Sequence, residues 1–250
     1  MLVSIIIPVF NTEAYIDQTI DCLLRQNYQN FEVIIINDCS EDNTLFKINK
    51  IKDPRFKIIN LKKNKGVAFC RNLGMRKSSG KYISFLDSDD LFKPTKLNDQ
   101  ISFMEKLNLD FSYTKYDIIN SSGSIIKKVR LRRVNNFENF VKNTSIATST
   151  MMMKKDIIKT TKFDKRAFGF DDYLFKCKIL KKIIRVDLLE STLSSYRIRE
   201  KSLSSNSFRN FVWVWKINKK FNNFNFLYNL YCLLNISLNS LRKYRLMKFF

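Results

Sequence analysis

The chain has 250 residues, no histidine, 45 lysine and arginine residues and 23 acidic residues, which gives a formal net charge of +22. Its length and 45% hydrophobic content are typical of one large or two small folded domains and exclude a disordered chain. The absence of histidine excludes a Ser-His-Asp triad, a histidine general base and histidine-containing zinc sites. Acid–base chemistry and metal binding are left to carboxylates, lysines, tyrosines and thiols, and carboxylates favour magnesium or manganese.

The positive charge is concentrated in the second half of the chain. Residues 1–120 carry 17 basic and 15 acidic side chains, whereas residues 121–250 carry 28 basic and 8 acidic ones. Such an asymmetry indicates an anionic partner, which could be nucleic acid, a phosphorylated substrate or an anionic membrane. The composition of an AT-rich genome would explain many lysines, but it does not explain why they are rare in the first half.

Cysteine usage and hydropathy indicate a cytoplasmic protein. The five cysteines form no C-x-x-C pair and most lie in apolar stretches, which predicts buried free thiols in a reducing compartment. The apolar N-terminus lacks the basic region of a signal peptide and is interrupted by Pro8. No uninterrupted run of about 18 apolar residues occurs, so no membrane-spanning helix is predicted.

The first 120 residues alternate between short β-branched runs and helical patterns. Strands are predicted at 3–10, 31–38, 56–61 and 81–87, and helices at 13–26, 40–51, 67–78 and 95–107. Continuous apolar strands separated by helices indicate a parallel sheet that is covered on both faces. The sequence therefore predicts a doubly wound, Rossmann-like α/β half, which would bind ligands at the carboxyl ends of its strands.

The pattern changes after residue 110 and predicts a mixed sheet. Strand-like segments occur at 110–120, 124–131 and 146–155, and the first two are joined by a turn near Ser121–Gly123. A helix is predicted at 170–182 and an extended segment at 183–198. The sequence thus predicts one continuous domain over residues 1–207, with a nucleotide-binding half (1–120) and an acceptor half (121–207), followed by a helical appendix over residues 208–250.

Polar residues stand at the ends of three predicted strands. Asn11 follows the first strand, Asp38 ends the second, and the acidic run Asp87–Asp90 ends the fourth. All are expected at one edge of the sheet, where ionised carboxylates repel one another unless a cation neutralises them. Such a cation could also neutralise a diphosphate. The alternative interpretation is a set of helix N-caps, which is the commoner role for one Asp after a strand.

Three stretches resemble the family 2 glycosyltransferases of the GT-A fold. They are SIIIPVFNTEAYI (4–16), FEVIIINDCSEDNT (31–44) and NKGVAFCRNLGMRKSSGKYISFLDSDD (64–90), and the likeness extends over about residues 1–205. The resemblance implies a nucleotide-sugar donor, usually UDP-linked, a Mn²⁺ or Mg²⁺ cofactor and inversion of the anomeric centre. It also implies a saccharide or lipid-linked saccharide acceptor in the synthesis of cell-surface polysaccharide.

The resemblance also implies roles for individual residues. The expected nucleotide-sugar-binding residues are Pro8, Val9, Phe10, Asn11, Glu13, Asp38, Arg71, Asp87, Ser88 and Arg199. The backbone of residues 8–10 would line the base pocket, Asp38 would accept a hydrogen bond from uracil, and Arg71 would lie near the pocket floor. Asp87 would face the ribose and Asp89 would hold the metal.

The second half would supply the general base and a phosphate ligand. The acidic pair Asp171 and Asp172 opens a predicted helix, and the resemblance assigns the second acid as the base that deprotonates the acceptor hydroxyl. The alternative is that these acids only favour the helix dipole. The family commonly ends in Y-R-x-H-x-x-S-x-S, whereas residues 196–204 read YRIREKSLS, with Arg199 in place of histidine. Arginine does not ligate a metal but pairs with phosphate through two bonds, so Arg199 is expected to hold the donor diphosphate.

The segment 208–250 is predicted to be an amphipathic basic helix, with eight basic and no acidic residues. One side would carry Asn225, Asn229, Asn235, Asn239, Arg242 and Lys243, and the other Phe226, Leu227, Leu230, Leu233, Leu234, Leu238 and Leu241. This segment would pack on the catalytic domain, form a homodimer contact, or lie on an anionic membrane near lipid-linked acceptors.

Three other functions remain as alternatives. A sugar nucleotidyltransferase would need a glycine-rich phosphate loop, which the residues Asn11-Thr12-Glu13 do not provide. A nucleic-acid-binding protein would fit the charge, but no known binding pattern is present and the acidic residues would repel phosphates, so no nucleic-acid partner is expected. A catalytically inactive family member acting as an assembly partner would not need Asp87, Asp89 and Asp172. We therefore predict an inverting glycosyltransferase.

Overall fold

A computed structural model describes residues 1–167, 170–183, 185–199 and 207–244. The strands are β1 (Val3–Val9), β2 (Phe31–Asn37), β3 (Phe56–Asn60), β4 (Tyr82–Phe85), β5 (Leu91–Phe92), β6 (Phe111–Ile119), β7 (Ile125–Lys128), β8 (Met152–Lys154) and β9 (Val186–Arg197). The helices are α1 (Ile16–Leu24), α2 (Thr44–Asn49), α3 (Val67–Lys77), α4 (Lys96–Lys106), α5 (Phe137–Asn143), α6 (Lys155–Ile158), α7 (Asp171–Leu180), α8 (Ser207–Phe221) and α9 (Phe226–Tyr244).

The first half forms the predicted parallel sheet, in the order β3-β2-β1-β4. Every residue of β1 and β2 is buried, because helices cover both faces of the sheet. Side chains alternate between the faces, so Ile6 joins the core beneath α3 while Ile5 and Ile7 join the core beneath α1 and α4. The four predicted strands and four predicted helices of this half are confirmed, with ends shortened by a few residues.

The second half extends the same sheet with both parallel and antiparallel strands. Next to β4 the order continues β8-β6-β9-β5, with β7 paired to β6 as a hairpin. β8 is antiparallel to both β4 and β6, whereas β9 is parallel to β6. The described strands thus form one continuous sheet, and the prediction of a mixed second half is confirmed.

Close packing of α3 on β1 positions the helix that carries Arg71. A Cβ atom on Gly74 would lie 2.4 Å from Cγ2 of Ile6 and 3.1 Å from Cδ1 of Ile36, so only glycine permits this approach. Arg71 stands one turn earlier on the same helix and is buried. The contact between the helix and the sheet therefore sets the position of a buried charge at the edge of the sheet.

Several features of the second half differ from the expectations. β5, α5 and α6 were not predicted, and the C-terminal segment is two helices, α8 and α9, rather than one. The three methionines Met151–Met153 are fully buried, as expected of core residues. The cysteines are all free, but Cys22 and Cys39 are partly exposed, which corrects the prediction of buried thiols at those two positions. Among the described residues, no helix is both long and apolar enough to cross a membrane.

Candidate active site

The carboxyl ends of β1, β2 and β4 meet at one edge of the sheet, as predicted. Pro8 and Val9 are buried within β1, so their backbone alone could face a ligand, whereas Phe10 beyond the strand is 44% exposed. The amide of Asp38 donates to the carbonyl of Val9 at 2.8 Å, which joins the ends of the two strands. This part of the predicted donor site therefore consists of backbone groups at the end of β1 and the exposed ring of Phe10.

Asn11 and Glu13 hold two loops of this edge together. The Asn11 side chain accepts a hydrogen bond from the amide of Glu41 at 2.9 Å, and the Glu13 carboxylate accepts one from the amide of Asn43 at 2.8 Å. Asn11 has a φ of 48°, a left-handed conformation that asparagine tolerates better than most residues. Both side chains thus connect the loop after β1 to the loop before α2.

Asp38 is buried and connects β2 to the start of α3. Its two carboxylate oxygens accept hydrogen bonds from the amides of Lys65 and Gly66, each at 2.7 Å. Gly66 has a φ of 85°, which an L side chain rarely adopts, and precedes the first residue of α3. Asp38 therefore satisfies two amide groups just before α3, but it is not the N-cap of α3 or of α2, which are Gly66 and Asn43. A further contact of this carboxylate with a base stays a prediction.

Arg71 connects the two acidic clusters. Its Nη2 lies 2.7 Å from Oδ1 of Asp87 and its Nη1 lies 3.2 Å from Oδ2 of Asp171. Burial opposes the charge of Arg71, but the carboxylates of Asp87 and Asp171 outweigh it and raise its pKa. The guanidinium also lies 5.3 Å from the ring of Phe163. Residues 100 positions apart in sequence are thus brought together by one buried cation.

The loop Asp87–Asp90 is held in place from several sides. Ser149 accepts a hydrogen bond from the Asp87 amide at 3.1 Å and donates its hydroxyl to Asp90 at 2.5 Å. The hydroxyl of Thr19 donates to the carbonyls of Ser88 and Asp90 at 3.0 and 3.1 Å. Burial and the neighbouring carboxylates raise the pKa of Asp90 well above its usual range. Ser88 contributes its backbone carbonyl and is itself buried.

Arg197 is the main support of this loop and was not predicted. Its backbone amide donates to Asp90 at 2.9 Å and its Nε donates to the carbonyl of Asp89 at 2.7 Å. Its other guanidinium nitrogens donate to the carbonyls of Asn120 and Ser121 and to the side chain of Gln18. The side chain is only 2% exposed, so it acts as an internal clamp and does not face a ligand.

Arg199 forms an ion pair with Asp89, the predicted metal ligand. Nε of Arg199 lies 2.6 Å from Oδ2 of Asp89, and the guanidinium lies 5.7 Å from the ring of Tyr15. The Arg199 side chain is 35% exposed, whereas that of Asp89 is 12% exposed. Burial raises the pKa of Asp89, and Arg199 acts in the opposite direction. The predicted phosphate ligand and the predicted metal ligand are therefore direct neighbours. The rest of the motif, residues 200–204, lies outside the described residues.

Asp172 lies at the first turn of α7 with its carboxylate partly open to solvent. Its Oδ2 is 2.7 Å from Nζ of Lys176 and 3.4 Å from the hydroxyl of Thr148. The Asp172 side chain is 34% exposed, whereas that of Lys176 is 4% exposed. Burial opposes ionisation, but Lys176 and Arg71 outweigh it and hold the pKa of Asp172 below its usual value. Asp172 is thus an ionised carboxylate at neutral pH, which is the state that a general base requires.

The preceding residue, Asp171, has a different environment. It is buried against Arg71, and burial raises its pKa although Arg71 favours the ionised form. Lys176 could have been found from the sequence, because an acid followed four residues later by a lysine forms an ion pair on a helix. Ser149, Thr148 and Arg197 carried no such local signal, because their partners are far away in sequence.

Comparisons with known proteins identify the family. The profile described as Glycosyl transferase family 2 matches residues 4–174. The chain is 33% identical over 247 residues to an uncharacterized glycosyltransferase of Haemophilus influenzae, covering 98% of each chain. It is 34% identical over 244 residues to the Escherichia coli protein named UDP-Glc:alpha-D-GlcNAc-diphosphoundecaprenol beta-1,3-glucosyltransferase WfgD, covering 97% of this chain and 95% of that one.

Solved structures identify the fold. Residues 1–349 of S. aureus TarS in complex with UDP-GlcNAc superpose with a TM-score of 0.76 at 22% identity, over 98% of this chain and 73% of that one. A Pyrobaculum calidifontis mannosyltransferase in complex with GDP-Man and Mn²⁺ superposes with a TM-score of 0.70 at 14% identity, over 95% of this chain and 72% of that one. The fold is that of the GT-A glycosyltransferases. The chain belongs to glycosyl transferase family 2 and is a glycosyltransferase enzyme.

GT-A enzymes typically bind a divalent cation, and the loop after β4 decides whether such an ion fits here. Asp89 and Asp87 are two carboxylates of one loop, and the charge of Asp87 reaches Asp89. Among the described residues, no group of three or more acidic or thiol side chains forms a metal-ligand cluster. Magnesium is usually held by one or two carboxylates, with phosphate oxygens and waters completing its shell. Asp87 is paired with Arg71, so Asp89, whose partner Arg199 is partly exposed, is the carboxylate of this loop that fits a cation sharing its ligands with a diphosphate.

Proposed function

We propose that the protein is an inverting glycosyltransferase that moves a hexose from a UDP-linked donor to a hydroxyl of a lipid-linked saccharide, in the synthesis of cell-surface polysaccharide. The observation that carries this proposal is the junction at Arg71, which joins the loop of Asp87 and Asp89 to the helix of Asp172. The loop that would bind the donor and the candidate base are thus linked through one side chain. The family membership makes transfer of a sugar the relevant chemistry.

We assign donor binding to residues 1–120 and acceptor binding to residues 121–207. In the donor half, the backbone at Pro8, Val9 and Phe10 would line the base pocket, and Asp38 would contact the uracil ring. Arg71 would form the pocket floor and Asp87 would face the ribose. The support for these roles is that all of these groups lie at the carboxyl edge of the parallel strands, where sheets of this type bind nucleotides.

A divalent cation, Mn²⁺ or Mg²⁺, would be held by Asp89. When bound, such a cation stabilises the negative charge that develops on a departing diphosphate. Arg199 is the residue of this chain that would add to that effect. Its guanidinium is partly exposed and lies against Asp89, so it can exchange this carboxylate for the oxygens of a diphosphate and bind them through two parallel bonds.

Asp172 would act as the general base for the acceptor hydroxyl. Its pKa lies below the usual value and its side chain is one third exposed, so it is ionised at neutral pH and open to an acceptor. Attack by the hydroxyl on the side of the sugar opposite the leaving diphosphate inverts the anomeric centre. The relative WfgD is named for forming a beta linkage from UDP-Glc, and an inverting displacement gives this outcome from an α-linked donor.

The relative WfgD is also named for an acceptor that carries a lipid diphosphate, alpha-D-GlcNAc-diphosphoundecaprenol. The diphosphate gives such an acceptor a negative charge. It would therefore fit residues 121–250, which carry 28 basic and 8 acidic side chains. We accordingly place the enzyme in the cytoplasm, peripherally at an anionic membrane surface.

Thermal shift followed by a transfer assay tests this proposal. UDP-glucose and UDP-GlcNAc with Mn²⁺ should stabilise the chain, GDP-mannose should have a weaker effect, and Asp89→Ala should abolish the difference. The chain should then transfer glucose from UDP-glucose to a synthetic GlcNAc-α-diphospho-lipid, with a β product by NMR. Stabilisation by RNA but by no nucleotide sugar would contradict the proposal, as would an α product for the inverting mechanism.

A further inference from the structure

Helix α9 exposes most of its leucine residues. Leu227, Leu238 and Leu241 are 77%, 54% and 60% exposed, and they lie on the same outward side of the helix as Leu234 and Tyr231. Isolated apolar residues on a surface are ordinary, but a row of them along one helix is typical of a contact surface. We call the outward row formed by Leu227, Tyr231, Leu234, Leu238 and Leu241 the leucine face.

The inward side of α9 joins the core through Cys232 and Leu233 and is also held by hydrogen-bonded asparagines. Asn229 is buried, donates to the carbonyl of Trp215 at 3.1 Å and accepts from Asn218 at 3.1 Å. Asn239 donates to the carbonyl of Lys142 at 3.1 Å. Rotating the helix to bury the leucines would break these hydrogen bonds and leave buried polar groups unpaired. The outward direction of the leucine face is therefore fixed by the fold.

Basic residues outnumber acidic ones around the leucine face, although the charge of Glu138 on α5 reaches Tyr228. Residues 201–250 contain no acidic residue, and the exposed Lys219 and Lys220 stand at the end of α8. Nζ of Lys142, on α5, lies 5.6 Å from the ring of Tyr231 at the border of the face. An apolar row bordered by cations matches a bilayer with anionic headgroups, since acyl chains would cover the leucines and headgroups would pair with the lysines.

We propose that the leucine face of α9 binds the surface of an anionic bilayer. The charge argues against a second copy of the chain as the occupant, because a symmetric contact would bring two like-charged segments together. The helix would lie in the headgroup region of the bilayer and not across it, because its inward side packs on the protein and only its outward side is open to lipid.

The same helix is connected to the helix of the candidate base. The hydroxyl of Tyr173, the residue after Asp172, donates to Asn218 on α8 at 2.8 Å, and Asn218 in turn donates to Asn229 on α9. A bilayer bound at α9 would therefore hold the first turn of α7 at a set height above the lipid headgroups. This consequence rests on the proposed function, in which the acceptor is lipid-linked and the enzyme is peripheral, and the leucine face is the surface that would make the membrane contact.

Vesicle co-sedimentation of the full chain tests the inference. The probes are vesicles of phosphatidylcholine alone and of equal parts phosphatidylcholine and phosphatidylglycerol. The test variant replaces three exposed leucines, Leu227→Gln, Leu234→Gln and Leu238→Gln. The matched control, Ile125→Gln with Ile126→Gln, removes two exposed apolar side chains from β7. Circular dichroism melting establishes that each variant is folded, and transfer to a water-soluble acceptor measures the proposed activity separately.

We expect the chain and the β7 control to sediment with the anionic vesicles, more weakly at high salt, and the leucine variant to need at least about tenfold more lipid. Equal binding by the folded leucine variant would overturn the inference, as would no binding to anionic vesicles. A dimer in light scattering that the leucine variant abolishes, without vesicle binding, would assign the face to a second copy and also overturn it. A failed transfer assay with intact vesicle binding would instead count against the proposed function.

Discussion

The acidic loop after β4 and the acidic pair at the start of α7 divide their carboxylates in the same way. In the loop, Asp90 is buried and bonded to Ser149 and to the backbone of Arg197, whereas the side chain of Asp87 is 30% exposed. In the pair, Asp171 is buried against Arg71, whereas Asp172 is partly open. Acids that are close together in sequence thus have different environments: one is buried and the other is partly exposed.

The largest expected effect is on catalysis, and it separates the two acids at the start of α7. Asp172→Asn should lower kcat by about 10²- to 10⁴-fold, because the amide cannot accept the proton of the acceptor hydroxyl. Thermal stabilisation by UDP and Mn²⁺ should remain. The matched variant Asp171→Asn should instead lower the melting temperature and retain more of kcat when assayed well below it. Full activity of Asp172→Asn would remove this residue from the role of base.

The next effect is on stability and concerns the buried member of the loop. Asp90→Ala should lower the free energy of unfolding by about 2 to 3 kcal/mol, because the Arg197 amide and the Ser149 hydroxyl lose their buried partner. Asp90→Asn keeps an oxygen acceptor for the Arg197 amide and should lose less. Urea unfolding of both variants makes this measurement. Equal losses for the two would mean that the second carboxylate oxygen or the charge of Asp90 sets its contribution, because asparagine keeps both the volume and one oxygen acceptor.

A smaller effect is expected at the ion pair between Arg199 and Asp89. Arg199→Ala should weaken UDP binding in the presence of Mn²⁺ by about tenfold, because the diphosphate loses a charge-assisted partner. Mn²⁺ alone should bind more tightly, since Asp89 no longer faces a guanidinium. The UDP affinity of Arg199→Lys should lie between those of the unchanged chain and Arg199→Ala, because lysine keeps the charge but not the planar guanidinium. Calorimetry measures the affinity for UDP, and electron paramagnetic resonance of free Mn²⁺ measures the affinity for the ion. An unchanged UDP affinity would exclude Arg199 as a diphosphate ligand.

The smallest expected effect is a shift in pH dependence. Lys176 helps to hold the pKa of Asp172 below its usual value, so Lys176→Met should raise that pKa. Since the base must be ionised, the acidic limb of the kcat/KM profile should move to higher pH, with little change above neutral pH. Lys178→Met removes a more exposed lysine of α7 that lies 3.6 Å from Asp164 and serves as the control. Identical acidic limbs in the two variants would show that Lys176 does not act through Asp172.

Much of the first half was predictable because its local pattern and its tertiary environment agree. Both faces of β1 and β2 are buried, so the strands appear in the sequence as continuous apolar runs, and the polar residues that follow them are found at one edge. α5 was also within reach, since Asn136 caps it by accepting from the amide of Asn139 and Phe137, Phe140 and Val141 follow at helical spacing. β5, with two residues, is too short for any periodicity.

Helix α9 shows where the same reasoning stops. Its periodicity indicated an amphipathic helix, but it left open whether the apolar side packs on the catalytic domain, contacts a second copy or faces a membrane. The fold buries Asn229, Cys232 and Leu233 and leaves the other leucines outside. Periodicity states which residues share a side; it does not state which side meets the protein, because that depends on the hydrogen-bonding groups that α5 and α8 present.

The sequence by itself determined the parallel half-sheet, the acidic cluster at its edge, the exclusion of histidine chemistry and the likeness to family 2. These follow from residue types and from contacts that are local along the chain. The tertiary structure decided which acid of each cluster is buried, the clamp formed by Arg197, the ion pair of Arg199 with Asp89 and the direction of the leucine face. Each of these joins residues far apart in sequence, as Arg71 and Asp171 are, and burial and charge pairing then set the properties of the side chain.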